Sequence, residues 1–208
     1  MVQHLGRLKE SPSQTAGPYV HIGCTPLFTG IEGVYEADLG SEMVNDETRG
    51  ERITIIGKVI DGNGTTLRDA LLEIWQADAD GLYNSTQELR GDADPNFTGW
   101  GRCATHMETG EYVFRTIKPG RVPFRDGRLM APHVTFWIVA RGINIGLHTR
   151  MYFDDEDSAN GEDPILTNIE QSSRVPTLIA KRSESGGEVT YRFDIRLQGE
   201  NETVFFDI

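Results

Sequence analysis

The chain has 208 residues, 38% hydrophobic and 25% charged, with 32 acidic against 20 basic side chains and a formal net charge of −12. This is too apolar for a disordered chain, and its negative field repels nucleic acid and anionic membrane surfaces, so an anionic ligand needs a local basic pocket. Cys24 and Cys103, without C-x-x-C spacing, read as ordinary thiols of a reducing compartment, and with no apolar leader or membrane-length stretch the expected location is the cytoplasm.

Residues 1–30 carry Pro12, Pro18 and Pro26 and few periodic hydrophobics. That pattern is an extended arm lying on another surface, ahead of a single domain spanning residues 31–208. Strands are expected at residues 53–60, 70–76, 111–117, 134–140 and 148–153, each rich in β-branched or aromatic side chains. Asp61-Gly62-Asn63-Gly64, Asp80-Gly81 and Thr109-Gly110 supply turns around them. The clearest strand is residues 189–198, where Val189, Tyr191, Phe193, Ile195 and Leu197 alternate with polar residues. Helix is expected to be scarce: Asp163-Pro164 offers a cap followed by proline at the first helical position, starting a short helix toward Glu170. Val204, Phe205, Phe206 and Ile208 put large apolar side chains at a terminus, which predicts docking on the core or on another chain. The expected fold is all-β, an antiparallel β-sandwich with a long extended N-terminal arm and few short helices.

Several longer segments resemble one family in fixed order: Ser11-Pro12-Ser13-Gln14-Thr15-Ala16-Gly17-Pro18-Tyr19, Leu72-Glu73-Ile74-Trp75-Gln76-Ala77-Asp78, Ala140-Arg141-Gly142-Ile143-Asn144-Ile145, Arg150-Met151-Tyr152-Phe153-Asp154-Asp155-Glu156 and the run from Tyr191 to Asp207. They are similar to the α subunits of protocatechuate 3,4-dioxygenases, within the intradiol ring-cleavage dioxygenase family, and the resemblance covers nearly the whole chain. It implies a β-sandwich working with a homologous β subunit in a higher-order αβ oligomer. The implied reaction is O2-dependent cleavage of protocatechuate, an aromatic carboxylate, between its two hydroxylated carbons to 3-carboxy-cis,cis-muconate. The implied cofactor is Fe(III), bound by the partner β subunit through two tyrosines and two histidines in Gly-x-Tyr, Pro-Gly-x-Tyr-Pro-Trp and Pro-x-His-x-His motifs.

In this chain Gly81-Leu82-Tyr83 keeps the first tyrosine, but Pro119-Gly120-Arg121-Val122-Pro123-Phe124 has Val122 in place of the second. Pro132-His133-Val134-Thr135 keeps one histidine and puts Thr135 at the other. Ferric iron relies on phenolate charge and imidazole donation, so Tyr83, Val122, His133 and Thr135 are expected to be vestigial metal-site positions, with no metal and no catalytic group in this chain alone. Without the resemblance, His133 reads as a core histidine at the start of a strand.

The resemblance further implies that Thr15, Gly17, Tyr19 and Arg141 help wall a substrate pocket over the partner's iron. Arg141 would face the substrate carboxylate, since a guanidinium keeps its charge when partly desolvated. On residue type alone, Arg141 reads as a surface ion pair and Gly17-Pro18-Tyr19 as a turn. Lys118, Arg121, Arg125 and Arg128 form a basic loop, read as solvated and outside the site. Two other readings stay open on sequence: a self-sufficient intradiol dioxygenase using Tyr83 and His133 with His148 or His21 as replacement ligands, and a non-enzymatic assembly module.

Overall fold

A computed structural model describes residues 14–207. The strands are β1 (Arg52–Ile60), β2 (Leu71–Trp75), β3 (Trp100–Ala104), β4 (Glu111–Ile117), β5 (His133–Val139), β6 (Leu147–Phe153), β7 (Ile179–Ser185), β8 (Glu188–Arg192) and β9 (Ile195–Arg196). The helices are short: α1 (Val20–Cys24), α2 (Asp157–Glu162) and the 3-10 segments Leu166–Asn168 and Ser172–Leu178. None of these helices is long and apolar enough to cross a membrane.

Strand order is β3-β2-β5-β6-β7-β8-β1-β4, with β9 also on β1. β7 joins the two layers of this nearly closed sandwich: Ile179 and Ala180 pair with β6, whereas residues 181–185 pair with β8. Alternation along each strand sends one set of side chains inward. Ile53, Ile55 and Val59 of β1 meet Leu72 and Ile74 of β2, and Phe136 of β5, in one core. The rings of Tyr112, Phe114 and Phe193 surround Phe136 at centroid distances of 5.9, 6.0 and 5.4 Å.

The expectation of a purely antiparallel sheet needs correction. β1–β4, β2–β3, β2–β5, β5–β6 and β7–β8 are antiparallel, but β1 runs parallel to β8 and β9, and β6 parallel to β7. The cause is topological. The β7–β8 hairpin, closed by Gly186 and Gly187 at φ 62° and 85°, is inserted between β6 and β1, and its two opposed strands each lie parallel to the neighbour they meet. Alternation within a strand reports burial and is silent about the direction of the strand beside it.

The expected strand over 189–198 is also interrupted. Its register on β1 is the same on both sides, Ile56 with Arg192 and Val59 with Ile195, so no residue is inserted. Between them the Phe193 carbonyl turns inward to accept the Tyr112 hydroxyl, while the Asp194 carboxylate accepts the Lys58 N–H at 3.1 Å. Tyr112→Phe is expected to leave that carbonyl without its hydroxyl donor and to cost about 1–2 kcal/mol, read as a lower urea midpoint at unchanged slope.

Of the expected arm, residues 1–13 lie outside the described residues. Residues 14–30 include α1, whose His21 is buried, and the N–H groups of Leu27 and Phe28, which donate to the Asp38 carboxylate at 3.0 and 2.8 Å. At the other end Val204 is buried and the Phe206 N–H donates to the His148 carbonyl at 2.8 Å, so this segment docks on the core. The helix expected from Asp163 is realised as the 3-10 segment Leu166–Asn168. Asp163 Oδ1 accepts the N–H groups of Ile165 and Leu166 at 2.7 and 2.9 Å, the role of a helix cap.

Candidate functional site

Of the four positions that the resemblance matches to iron ligands, His133 and Thr135 lie on the outward face of β2, β5 and β6. Trp75, Thr135 and Arg150 stand side by side across these strands, with His133 beside Tyr152 in the adjoining row. Tyr83 is brought onto this face by its loop. Asp78 accepts the N–H groups of Asp80 and Leu82 at 3.0 and 2.9 Å and that of Asp94 at 2.8 Å, which folds residues 78–94 back on themselves. Gly81, at φ 79°, lies so close to the Arg121 carbonyl that a Cβ there would sit 2.2 Å from its oxygen. A Cβ on Gly120 would meet Ala79 O at 2.5 Å. Two glycines thus let the loop bearing Tyr83 touch the loop bearing Val122. The Tyr83 ring then stacks on Trp75, 5.8 Å between centroids and 5° from parallel.

Of these positions Val122 and His133 are buried. Val122 packs with Ala77 and Met130 in a small apolar cluster that Tyr83 borders. His133 is 3% exposed, and its Nδ1–H donates to the Ala131 carbonyl at 2.8 Å; a carbonyl can only accept, which fixes the tautomer. Burial pushes the Tyr83 phenol up, an effect partly opposed by the Arg150 charge. Burial, with Arg150 as a lesser cause, pushes the His133 imidazole from 6.5 down to about 4. Of the four positions only Tyr83 and His133 carry donors of the kind ferric iron takes, so the residues present do not fit the ion. Among the described residues, no three His, Cys, Asp or Glu side chains come together at any other place either.

Because the folded His133 binds its proton more weakly than the unfolded one, stability is fully present above pH 6.5 and is lost as pH falls toward about 4. The loss attributable to this residue is at most about 3 kcal/mol. Urea titrations between pH 7 and 4 are expected to show that slope, and His133→Gln to flatten it.

Arg141 lies in a different place. It ends β5's continuation and faces a cavity of about 830 Å³ between residues 61–69, residues 141–147 and Leu197-Gln198. Its side chain is 66% exposed and pairs with Asp69 at 3.1 Å, itself 14% exposed. Thr15 is tied to the same turn: its Oγ1 accepts the Gly142 N–H at 2.7 Å. The structure therefore brings Thr15 and Arg141 together. Tyr19, 75% exposed, projects into solvent, and Gly17 has open space where a Cβ would stand. In the basic loop, Lys118 pairs with Asp155 and Glu156, Arg121 with Glu162 and Arg128 with Asp126, which leaves little free positive charge there. The residue that sequence reasoning missed is Arg150. Only strand register, which places it across from Thr135, reveals where it stands.

A family model described as dioxygenase matches residues 25–199. The chain belongs to the dioxygenase family. Within that family it is 50% identical over 200 residues to the protocatechuate 3,4-dioxygenase alpha chain of Pseudomonas putida, covering 96% of this chain and 97% of that one. It is 37% identical over 179 residues to the protocatechuate 3,4-dioxygenase beta chain of Burkholderia cepacia, covering 82% and 75% of the two chains. Among solved structures, 3-chlorocatechol 1,2-dioxygenase from Rhodococcus opacus 1CP matches with a TM-score of 0.58 and 24% identity over 80% of this chain and 68% of its own. At that identity the structural match speaks for the shared dioxygenase fold alone.

Proposed function

We propose that this chain is the iron-free α subunit of a protocatechuate 3,4-dioxygenase. With an iron-bearing β subunit it forms the site for O2-dependent intradiol cleavage of protocatechuate to 3-carboxy-cis,cis-muconate. The observation that carries this reading is the end-to-end, 50% identical match to an α chain, joined to a family metal position at which two of four donors are replaced. The β-chain likeness supports a partner of common ancestry.

On this reading Fe(III) in the partner supplies the redox chemistry, and this chain supplies position and a dry wall. Residues 14–30 lie against the partner, ahead of the sandwich domain. Arg141 holds the substrate carboxylate. Its present partner is Asp69, and because the Arg141 side chain is 66% exposed, a second carboxylate can reach the guanidinium beside it. Thr15 fixes the arm to the Arg141 turn through Gly142. Gly17 and Tyr19, open and exposed as they stand, are free to be covered by the partner, with the Tyr19 ring closing the pocket against water. The complex is a cytoplasmic oligomer of αβ units.

The test is iron content and protocatechuate-dependent O2 uptake, measured on this chain alone and after co-expression with its β partner. Activity and iron confined to the co-expressed complex are expected. Stoichiometric iron with ring cleavage in the isolated chain would instead establish the self-sufficient enzyme, and failure of any cognate β chain to restore activity would establish the assembly module.

A further inference from the structure

Residues 28–39 form a surface loop whose two ends are tied. The buried Asp38 carboxylate accepts the N–H groups of Leu27 and Phe28 at 3.0 and 2.8 Å, which brings the end of the loop back to its start. Just beyond, the Gly40 carbonyl accepts the Arg102 N–H of β3 at 2.8 Å, and Gly40 lies so close to that strand that a Cβ would stand 2.7 Å from Arg102 N. The loop is therefore closed on itself and pinned to β3, one end of the strand order. Loops normally turn polar side chains to water. This one turns out Phe28, Ile31, Val34, Tyr35 and Leu39, each 44–53% exposed. The apolar surface continues onto β4, at the other end of the strand order, where Phe28 and the exposed Val113 line one cavity of about 420 Å3. The charge on the loop is of one sign: residues 10–48 include no lysine or arginine, and Glu32 and Glu36 stand exposed among the apolar side chains.

We propose that residues 28–39 are a docking loop for the β subunit, received by a surface that is apolar at its centre and carries lysine or arginine at its rim. The loop continues residues 14–30, which the reading above lays against that subunit, so the two make one contact; the inference rests on that reading. Single apolar side chains on a surface need no explanation, but a group of them rimmed by charge marks a protein interface. Because Asp38 and Gly40 hold the loop before the partner arrives, little ordering cost opposes binding. The acidic rim sets the sign of the surface it meets. A second copy of this chain fits poorly, since a two-fold contact of loop on loop would set Glu32 and Glu36 against their own equivalents.

The experiment compares the full-length chain with Val34→Ser/Tyr35→Ser/Leu39→Ser and with Glu32→Lys/Glu36→Lys, each co-expressed with the β subunit. The dissociation constant of the purified αβ unit is measured by sedimentation over a dilution series. Each variant is expected to bind the β subunit at least about tenfold more weakly than the unaltered chain. O2 uptake per αβ unit, at concentrations where the subunits are fully associated, is expected to be unchanged. Higher salt should narrow the gap between the lysine variant and the unaltered chain, because screening weakens the charge contrast. An unchanged dissociation constant in either variant overturns the proposal. So does a serine variant that keeps the αβ unit and loses only larger assemblies, which would make the loop a contact between copies. Where the triple variant does not fold, Leu39→Lys, a change at one exposed side chain, is judged by the same constant. An unaltered chain that holds no cognate β subunit would refute the α-subunit reading itself, a result obtained before any substitution, so the two failures are distinct.

Discussion

Asp163→Ala is expected to destabilise the chain by on the order of 4–5 kcal/mol and to abolish recovery of the assembled complex at physiological temperature. Asp163 is fully buried. One carboxylate oxygen accepts the N–H groups of Ile165 and Leu166 at 2.7 and 2.9 Å, and the other accepts the Ala131 N–H at 2.7 Å. The Tyr152 hydroxyl lies 3.4 Å away. Alanine leaves two buried backbone donors, at Ala131 and Leu166, and a part-buried one at Ile165 without this acceptor, and a buried donor left unpaired costs more than the net value of an ordinary hydrogen bond. The damage also reaches the face that carries His133. Ala131 supplies the carbonyl that holds the His133 ring, and Asp163 is what holds Ala131. Asp163→Asn separates geometry from charge: its amide oxygen still serves Ile165 and Leu166, but its NH2 confronts the Ala131 N–H, donor against donor. A loss of roughly 2 kcal/mol is expected for Asn. Urea unfolding of all three proteins checks the order, and equal midpoints for the aspartate and alanine forms would show that the carboxylate is not what joins these segments.

The sandwich was legible wherever one face of a strand is wet. Ile53, Ile55, Tyr112, Phe114, Phe136 and Ile138 alternate with half-buried or exposed residues, and the β-branched and aromatic content of these runs located β1, β4 and β5, as it did β6, to within a residue or so. β3 escaped because Trp100-Gly101-Arg102-Cys103-Ala104 has no apolar alternation; Gly101 is there since a Cβ would strike Met43 Sδ at 2.5 Å. β7 escaped because residues 181–185 are polar and exposed, their value lying in backbone pairing to β8 rather than burial. The Gly186-Gly187 pair was a usable signal for that hairpin. Parallel neighbours were not legible, since they depend on where the hairpin is inserted. The same limit hid Arg150. Sequence comparison of ligand motifs marks what Val122 and Thr135 lack, but only the pairing of β5 with β6 shows which residue stands across from Thr135.

Arg141→Ala is expected to lower kcat/KM for protocatechuate in the assembled enzyme by about a hundredfold, chiefly through KM, because a bidentate guanidinium–carboxylate contact is among the stronger charge-assisted interactions. Catechol, which lacks the carboxylate, should be cleaved by the variant and the parent at rates within a small factor of each other. The comparison matters because Arg141 is mostly exposed and already paired with Asp69 at 3.1 Å, an arrangement that an ordinary surface ion pair would also show. A surface ion pair contributes well under about 1 kcal/mol and does not distinguish two substrates. Substrate discrimination therefore decides the matter: loss confined to the carboxylated ring places Arg141 against that group, whereas equal loss for both rings would assign it to holding the interface. Asp69→Asn sharpens the same point. If Asp69 merely occupies Arg141 until the substrate arrives, removing its charge should change KM by less than about threefold, and should leave the thermal stability of the complex nearly unchanged. Arg141→Lys should recover only part of the lost affinity, since an ammonium keeps the charge but presents no planar fork to the carboxylate.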